Sequence, residues 1–277
     1  RTDVMYDLAF LLMDLWHRGL RSEANLVLNR YLLLTDDTRG LAPLPLYLSL
    51  RATIRAHVSA TMAAAQQAPA AVATLRAEAG QYLDLAGDLL VAGEPRLIGV
   101  GGYSGSGKST LTRGLAPLLR PPPGAAVLRS DEIRKRLLGV APEAPLAETA
   151  YAPEISAQVY DALRRRAAEV LAAGYSVIAD AVNDRKEARH ALAEVARTAS
   201  VPFTGLWLAA GPEVLAARIE DRGLDASDAA IEVMRRQMAK GSVPTDWVHL
   251  DAETEAAELL VAARKRLLVD GFELATP

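Results

Sequence analysis

The sequence predicts an α/β fold: a five-stranded parallel sheet with helices on both faces, preceded by an all-α segment. Three observations carry this. Residues 1–92 show helical apolar spacing and no strand pattern. From residue 93 onward, short apolar strands alternate with helices. Gly93 and Pro95 punctuate the change. Alternating strands and helices imply parallel strands whose two faces are both covered. Two domains are therefore expected, residues 1–92 and 93–277.

The elements follow in order. Tyr6, Leu8, Ala9, Leu12, Met13, Leu15 and Trp16 make the apolar face of a first helix, and Gly19 is placed to stop it. Ser22 is a candidate cap for a second helix carrying Leu26, Leu28, Tyr31 and Leu32. Residues 35–45 are turn-rich, residues 46–62 form a third helix and residues 70–91 a fourth. Strands are expected at 97–100, 125–129, 175–179, 202–208 and 247–250. Helices are expected at 108–119, 131–138, from Pro153 to Gly174, and at 184–198, 212–222, 227–240 and 253–269. Trp207 is expected in the core, and Arg164, Arg165 and Arg166 on a solvated helix face.

Composition removes several chemistries. Of 277 residues, 51% are hydrophobic and 23% charged, which supports a packed core and argues against disorder. The 31 basic and 34 acidic residues leave a net charge of −3, so a bulk basic field for duplex nucleic acid is absent. The absence of cysteine removes disulfides, thiol catalysis and thiolate zinc sites. The four histidines lie far apart and form no local ligand pair. No apolar run reaches the roughly 18–20 residues that span a bilayer, and no signal peptide is visible, so a cytoplasmic location is expected. A first residue of Arg1 rather than Met suggests processing or a cut within a longer chain.

The most specific motif follows the first strand. Gly102, Gly107, Lys108 and Ser109 satisfy G-x-x-x-x-G-K-[ST] at every fixed position, with a strand entering and a helix leaving. The glycines let successive N–H groups converge on one anion. The helix N-terminus adds unpaired donors and a positive dipole end. The expected nucleotide contacts are Gly102, Tyr103, Ser104, Gly105, Ser106, Gly107, Lys108, Ser109 and Thr110, with Lys108 on the β/γ-phosphates and the Ser109 hydroxyl on magnesium.

Carboxylates and arginines surround it. The second strand ends in Arg129, Ser130 and Asp131, which places Asp131 at the strand C-termini where ligands sit in open α/β sheets. A carboxylate there can accept the proton of an attacking hydroxyl or help hold magnesium. The bland alternative is that Ser130 or Asp131 merely caps the next helix. Asp180 ends the third strand and can hold magnesium-bound water, place an acceptor, or bind loop amides. Arg218 and Arg222 lie four apart on one helix face, suited to the charge that phosphoryl transfer spreads over oxygen, or to pairing with Glu220 and Asp221. Asp225 or Ser227 can cap the helix that follows. Lys135 and Arg136 are weaker candidates for an anionic substrate, and His249 with Asp251 reads as a strand end.

These motifs, in this order and spacing, resemble the P-loop kinase family with its zeta-toxin-like, chloramphenicol-phosphotransferase-like and polynucleotide-kinase-like members, often called AAA-type ATPases. The resemblance runs from about residue 96 to 277 through Gly101–Thr110, Leu128–Leu137, Val177–Ala181 and Arg218–Asp228. It implies a P-loop NTPase-type sheet with a helical lid, ATP and Mg2+, Asp131 as catalytic carboxylate, and Arg218 and Arg222 as lid arginines beside Lys108. It also places Asp131, Arg134 and Asp180 near the acceptor and Ser109 with Asp131 at the metal. Asn183 departs from the family's pattern, in which an apolar or aromatic residue stands there. Residues 3–20 resemble the end of an aminoglycoside-phosphotransferase-like domain, whose catalytic residues would lie upstream of Arg1. The expected function is ATP-dependent, magnesium-assisted phosphoryl transfer to a hydroxyl of a small molecule. The expected partners are that small-molecule acceptor and an upstream phosphotransferase-like domain of the same longer chain, with neither membrane nor nucleic acid. The alternatives are an ATP-binding and ATP-hydrolysing regulatory module of a bifunctional phosphotransferase, or a polynucleotide 5′-hydroxyl kinase.

Overall fold

The structure, a computed structural model, describes residues 3–142, 144–221, 231–272 and 274. Four helices come first: α1 (Val4–His17), α2 (Arg21–Thr35), α3 (Leu44–Ala65) and α4 (Pro69–Asp88). Asp3 caps α1 by accepting from the Met5 amide, and Gly19 takes the left-handed conformation (φ +77°) just after it. Ser22 does not cap α2; the cap position falls on Leu20 and has no side-chain hydrogen bond. Buried Met5, Leu12, Leu28, Leu44 and Leu48 knit these helices together.

The sheet then forms from β1 (Leu97–Gly101), β2 (Ala126–Arg129), β3 (Val177–Asp180), β4 (Phe203–Ala209) and β5 (Val248–Asp251). Its order is β2-β3-β1-β4-β5, and every pairing is parallel. Between strands run α5 (Lys108–Leu115), α6 (Ser130–Leu137), α7 (Pro153–Ala172), α8 (Lys186–Thr198), α9 (Pro212–Glu220) and α10 (Ile231–Lys240); α11 (Ala256–Val269) follows β5. The predicted 108–119 helix is interrupted: α5 stops at Leu115, and a short 3-10 turn with Pro117 follows. No described helix is long and apolar enough to cross a membrane.

Two cores cover the two faces. Ile98, Val100, Leu111, Leu206 and Leu259 pack one face under α5 and α11. Leu97, Val159, Leu163, Val177 and Trp207 pack the other, and that cluster runs on without a break into the core of α1–α4. Trp207 is buried as expected. The strand order reverses at β1, so the crevice at its C-terminal end, between β1 and β3, is where a ligand fits.

One edge of the sheet is closed by a helix. β2 is an edge strand, whose free backbone groups would otherwise be open to pairing. The Val127 amide donates to Asn29 Oδ1 at 2.7 Å, and the Ala125 carbonyl accepts from Asn25 Nδ2 at 3.0 Å and Asn29 Nδ2 at 3.1 Å. Nearby, Arg136 donates to the Leu33 carbonyl at 2.9 Å and pairs with Asp36 at 3.2 Å. Arg166 pairs with Asp36 too, so it belongs to this seam rather than to a solvated face. Lys135 is buried and donates to the Pro142 carbonyl at 2.9 Å. Neither Lys135 nor Arg136 is thus presented as a simple surface cation.

Candidate active site

β1 delivers the chain into the loop at residues 102–107, and α5 leaves it at Lys108. Two glycines allow the turn. Gly105 has φ +87°, and a Cβ there would sit 2.6 Å from the Leu215 carbonyl oxygen. Gly107 has φ +86° and serves as the left-handed cap of α5. In α5 the Thr110 and Leu111 amides donate to the Gly107 carbonyl at 3.1 and 3.0 Å, and the helix start at Lys108 and Ser109 carries the positive dipole end that suits an anion. Lys108 Nζ folds onto the loop's own carbonyls, 2.7 Å from Gly102 O and 3.0 Å from Tyr103 O. Ser106 is 1% exposed and its Oγ has no hydrogen-bond partner in the structure. A glycine-turned loop that runs straight into a helix N-terminus fits a phosphate group.

β3 and β2 bring the charged groups. Arg129 and Asp180 are register partners on adjacent strands, and Asp180 also sits opposite Val100 of β1. Asp180 is 4% exposed, and its Oδ2 accepts from Ser109 Oγ at 2.9 Å. Arg129 Nη2 donates to the same Ser109 Oγ at 2.9 Å, Arg129 Nε lies 3.5 Å from Asp180 Oδ2, and Arg129 Nη1 reaches Glu132 Oε1 at 3.1 Å. The carboxylate that hydrogen-bonds Ser109 is therefore Asp180. Among the described residues, no three His, Asp or Glu side chains form a self-sufficient metal cage. Magnesium binds through few protein oxygens together with phosphates and water, and the Ser109–Asp180 pair fits that donor set.

Asp131 lies in the first turn of α6, and neither it nor Ser130 caps the helix; the cap position is Arg129, without a side-chain bond. Asp131 is close enough to the Tyr160 hydroxyl to raise its pKa. Tyr160 is pushed up to about 12, first by burial and then by the Asp184 carboxylate. The Tyr103 hydroxyl is raised by the same two causes, and burial raises Asp184 itself. Arg134 is buried, donates to the Ala150 carbonyl at 2.8 Å and stands over the Tyr151 ring at 4.7 Å; its Nε is buried without an acceptor.

Asn183, noted for its departure from the family's pattern, is joined here by Arg189 and Gln237, which carried no local signal. Asn183 is buried in the left-handed region (φ +54°) and donates through Nδ2 to the Val100 carbonyl at 3.2 Å. That conformation, tolerated best by Asn and Gly, is a physical reason for its departure from an apolar residue. Arg189 of α8 holds the carbonyls of Asn183 and Asp184 at 3.2 and 3.1 Å. Gln237 of α10 docks on the loop, accepting from the Ser104 amide at 3.0 Å and Ser104 Oγ at 3.1 Å. The partners of Arg189 and Gln237 are backbone groups or lie far away in sequence, so residue type alone did not single these two out. Arg218 lies in the last turn of α9 and donates to the Ala252 carbonyl after β5 at 2.6 Å. Arg222, Asp225, Ser227 and Asp228 lie outside the described residues. An open groove of about 520 Å³, lined by Arg189, Phe203, Trp247 and Arg266 among others, shares no residue with the phosphate loop.

A family described as "AAA domain" matches residues 97–244, more than half of the chain. An uncharacterized protein of Mycobacterium tuberculosis (strain H37Rv) is 31% identical over 249 residues, 88% of this chain and 48% of the relative. The chain thus spans about half the length of the curated relatives it matches. Among solved structures, a gluconokinase from Sinorhizobium meliloti 1021 is 23% identical with a TM-score of 0.44, covering 63% of this chain and 94% of that one. The Mycobacterium tuberculosis APS kinase in complex with AMPPNP and APS is 17% identical with a TM-score of 0.44, covering 63% and 98%.

Proposed function

The chain belongs to the AAA domain family, and from that premise we propose that it is an ATP-dependent kinase that phosphorylates a hydroxyl of a small molecule. The observation that carries this reading is the unfinished phosphate loop. It holds a buried Ser106 hydroxyl without a partner, left-handed Gly105 and Gly107, and a lysine resting on carbonyls that a phosphate would replace.

In this reading the loop amides and Lys108 hold the β- and γ-phosphates, and the charge on Lys108 stabilises the oxygens of the transferred group. Ser109 and Asp180 are the residues that would hold magnesium, with Asp131 nearby on α6 as a further carboxylate; the ion supplies charge neutralisation at the phosphates. Asp131 accepts the proton of the acceptor hydroxyl as its oxygen attacks the γ-phosphorus and the bond to the ADP oxygen breaks. Arg134 and Tyr160 line the acceptor side of the crevice, and Arg218 with Arg222 serves the lid. Tyr160 stays protonated at neutral pH, since its pKa is pushed up to about 12, and so acts as a donor or orienting group rather than a base. The helical segment is read with its resemblance as the end of an aminoglycoside-phosphotransferase-like domain, and no activity is carried over to it.

The test is an acceptor screen. The full chain is incubated with γ-labelled ATP, Mg2+ and a fractionated small-molecule extract, with 5′-hydroxyl oligonucleotides in a parallel arm. Label is expected in a low-molecular-weight hydroxyl compound with wild-type protein and not with Lys108→Ala. Release of labelled phosphate without a labelled acceptor favours the regulatory module, and labelled oligonucleotide favours the polynucleotide kinase. Either result overturns the proposal.

A further inference from the structure

We propose that Arg129 is the resident cation of the metal site, holding Ser109 and Asp180 together until a divalent ion takes its place. The inference deepens the phosphoryl-transfer reading and rests on it. Arg129 Nη2 is 2.9 Å from Ser109 Oγ, its Nε is 3.5 Å from Asp180 Oδ2, and those two oxygens are themselves 2.9 Å apart. One guanidinium thus bridges the serine and carboxylate oxygens that the fold sets aside for magnesium. The contact is interior: the Arg129 and Asp180 side chains are 12% and 5% exposed.

The physics calls for such a group. A buried carboxylate without a counter-charge is strongly disfavoured, so the site needs a cation in every state. A guanidinium and a divalent ion on the same two oxygens repel strongly at that range. Arg129 therefore has to yield when metal arrives. Glu132 offers the landing place, since its Oε1 already accepts from Arg129 Nη1 at 3.1 Å. Glu132 stands three residues along, in the first turn of α6, so a small rotation of the arginine suffices. The exchange keeps Asp180 compensated with and without metal. It also makes metal affinity a competition that Arg129 opposes and Glu132 assists.

The competition predicts effects of opposite sign from two neighbouring residues. Binding of Mn2+ to the full chain with saturating ADP is followed by the loss of the free-ion electron paramagnetic resonance signal. Arg129→Gln is expected to tighten Mn2+ by about an order of magnitude. Glu132→Gln is expected to loosen Mn2+ severalfold, because the displaced guanidinium loses its partner. Arg129→Gln with Mn2+ affinity unchanged or weakened overturns the proposal, as does a Glu132→Gln that tightens Mn2+. A wild-type chain that binds no ADP overturns the phosphoryl-transfer reading first; ADP binding with unaltered Mn2+ competition overturns the Arg129 role alone.

Discussion

The phosphate loop and the β2 edge are two places where backbone groups need partners, and the protein treats them oppositely. At the β2 edge the amide of Val127 and the carbonyls of Pro123 and Ala125 are all met by Asn25 and Asn29. Arg136 and Arg166 are matched to Asp36, and Thr38 Oγ1 to Glu169 Oε2 at 2.9 Å. At the loop, the Ser106 hydroxyl has no hydrogen-bond partner, and Lys108 donates to the carbonyls of Gly102 and Tyr103. Polar satisfaction is the rule in a protein interior, so the met groups of the seam read as structure, while the loop is where the proposal places a ligand.

The comparison breaks most sharply at Lys108. Replacing it with alanine should cost roughly 10²–10⁴ in turnover, about 3–5 kcal/mol of transition-state stabilisation, with the fold intact. Steady-state kinetics beside circular dichroism read this, and a folded variant with near-wild-type turnover contradicts the role. Gly105→Ala comes next. It forces a side chain into the left-handed region and against the Leu215 carbonyl, so about 1–3 kcal/mol of strain is expected, with nucleotide affinity falling more than global stability; equal nucleotide affinity would show that the loop shape is not needed.

At the seam the order reverses, with stability lost and affinity kept. Asn29→Leu leaves the Val127 amide unpaired against an apolar group, at about 1–3 kcal/mol. Urea denaturation checks the loss, and a nucleotide dissociation constant within about twofold of wild type separates seam from site. The smallest effect concerns Asp184. Burial raises its pKa, so the folded state disfavours the charged form and stability declines as pH rises through that value. Asp184→Asn should melt higher than wild type at pH 7, and the difference should shrink on acidification toward the ordinary carboxylate range. A difference that grows on acidification would mean that the charge is stabilising.

These same two regions mark what can be read from sequence. The loop was legible because its geometry dictates residue identity: a left-handed turn demands Gly105 and Gly107, and phosphate charge demands Lys108. The five strands and their helices were legible from apolar spacing, with ends displaced by a few residues, though the predicted start of the 227–240 helix lies outside the described residues. The seam was not, because Asn25 and Asn29 find their partners about a hundred positions away, and on a helix they read as surface polar groups. Arg166 misled for the same reason. Ser22, Ser130 and Asp131 had the chemistry of caps, but the helices begin in positions that do not use them. Arg129 stood within a recognised motif without a role until strand register placed it opposite Asp180.

The loop at residues 102–109 is proposed as the nucleotide site. Isothermal titration with a non-hydrolysable ATP analogue and Mg2+ tests it most directly. The account predicts saturable one-to-one binding to the wild-type chain that falls at least about a hundredfold in folded Lys108→Ala. Absence of binding to wild type, or equal affinity in the two proteins, would contradict it.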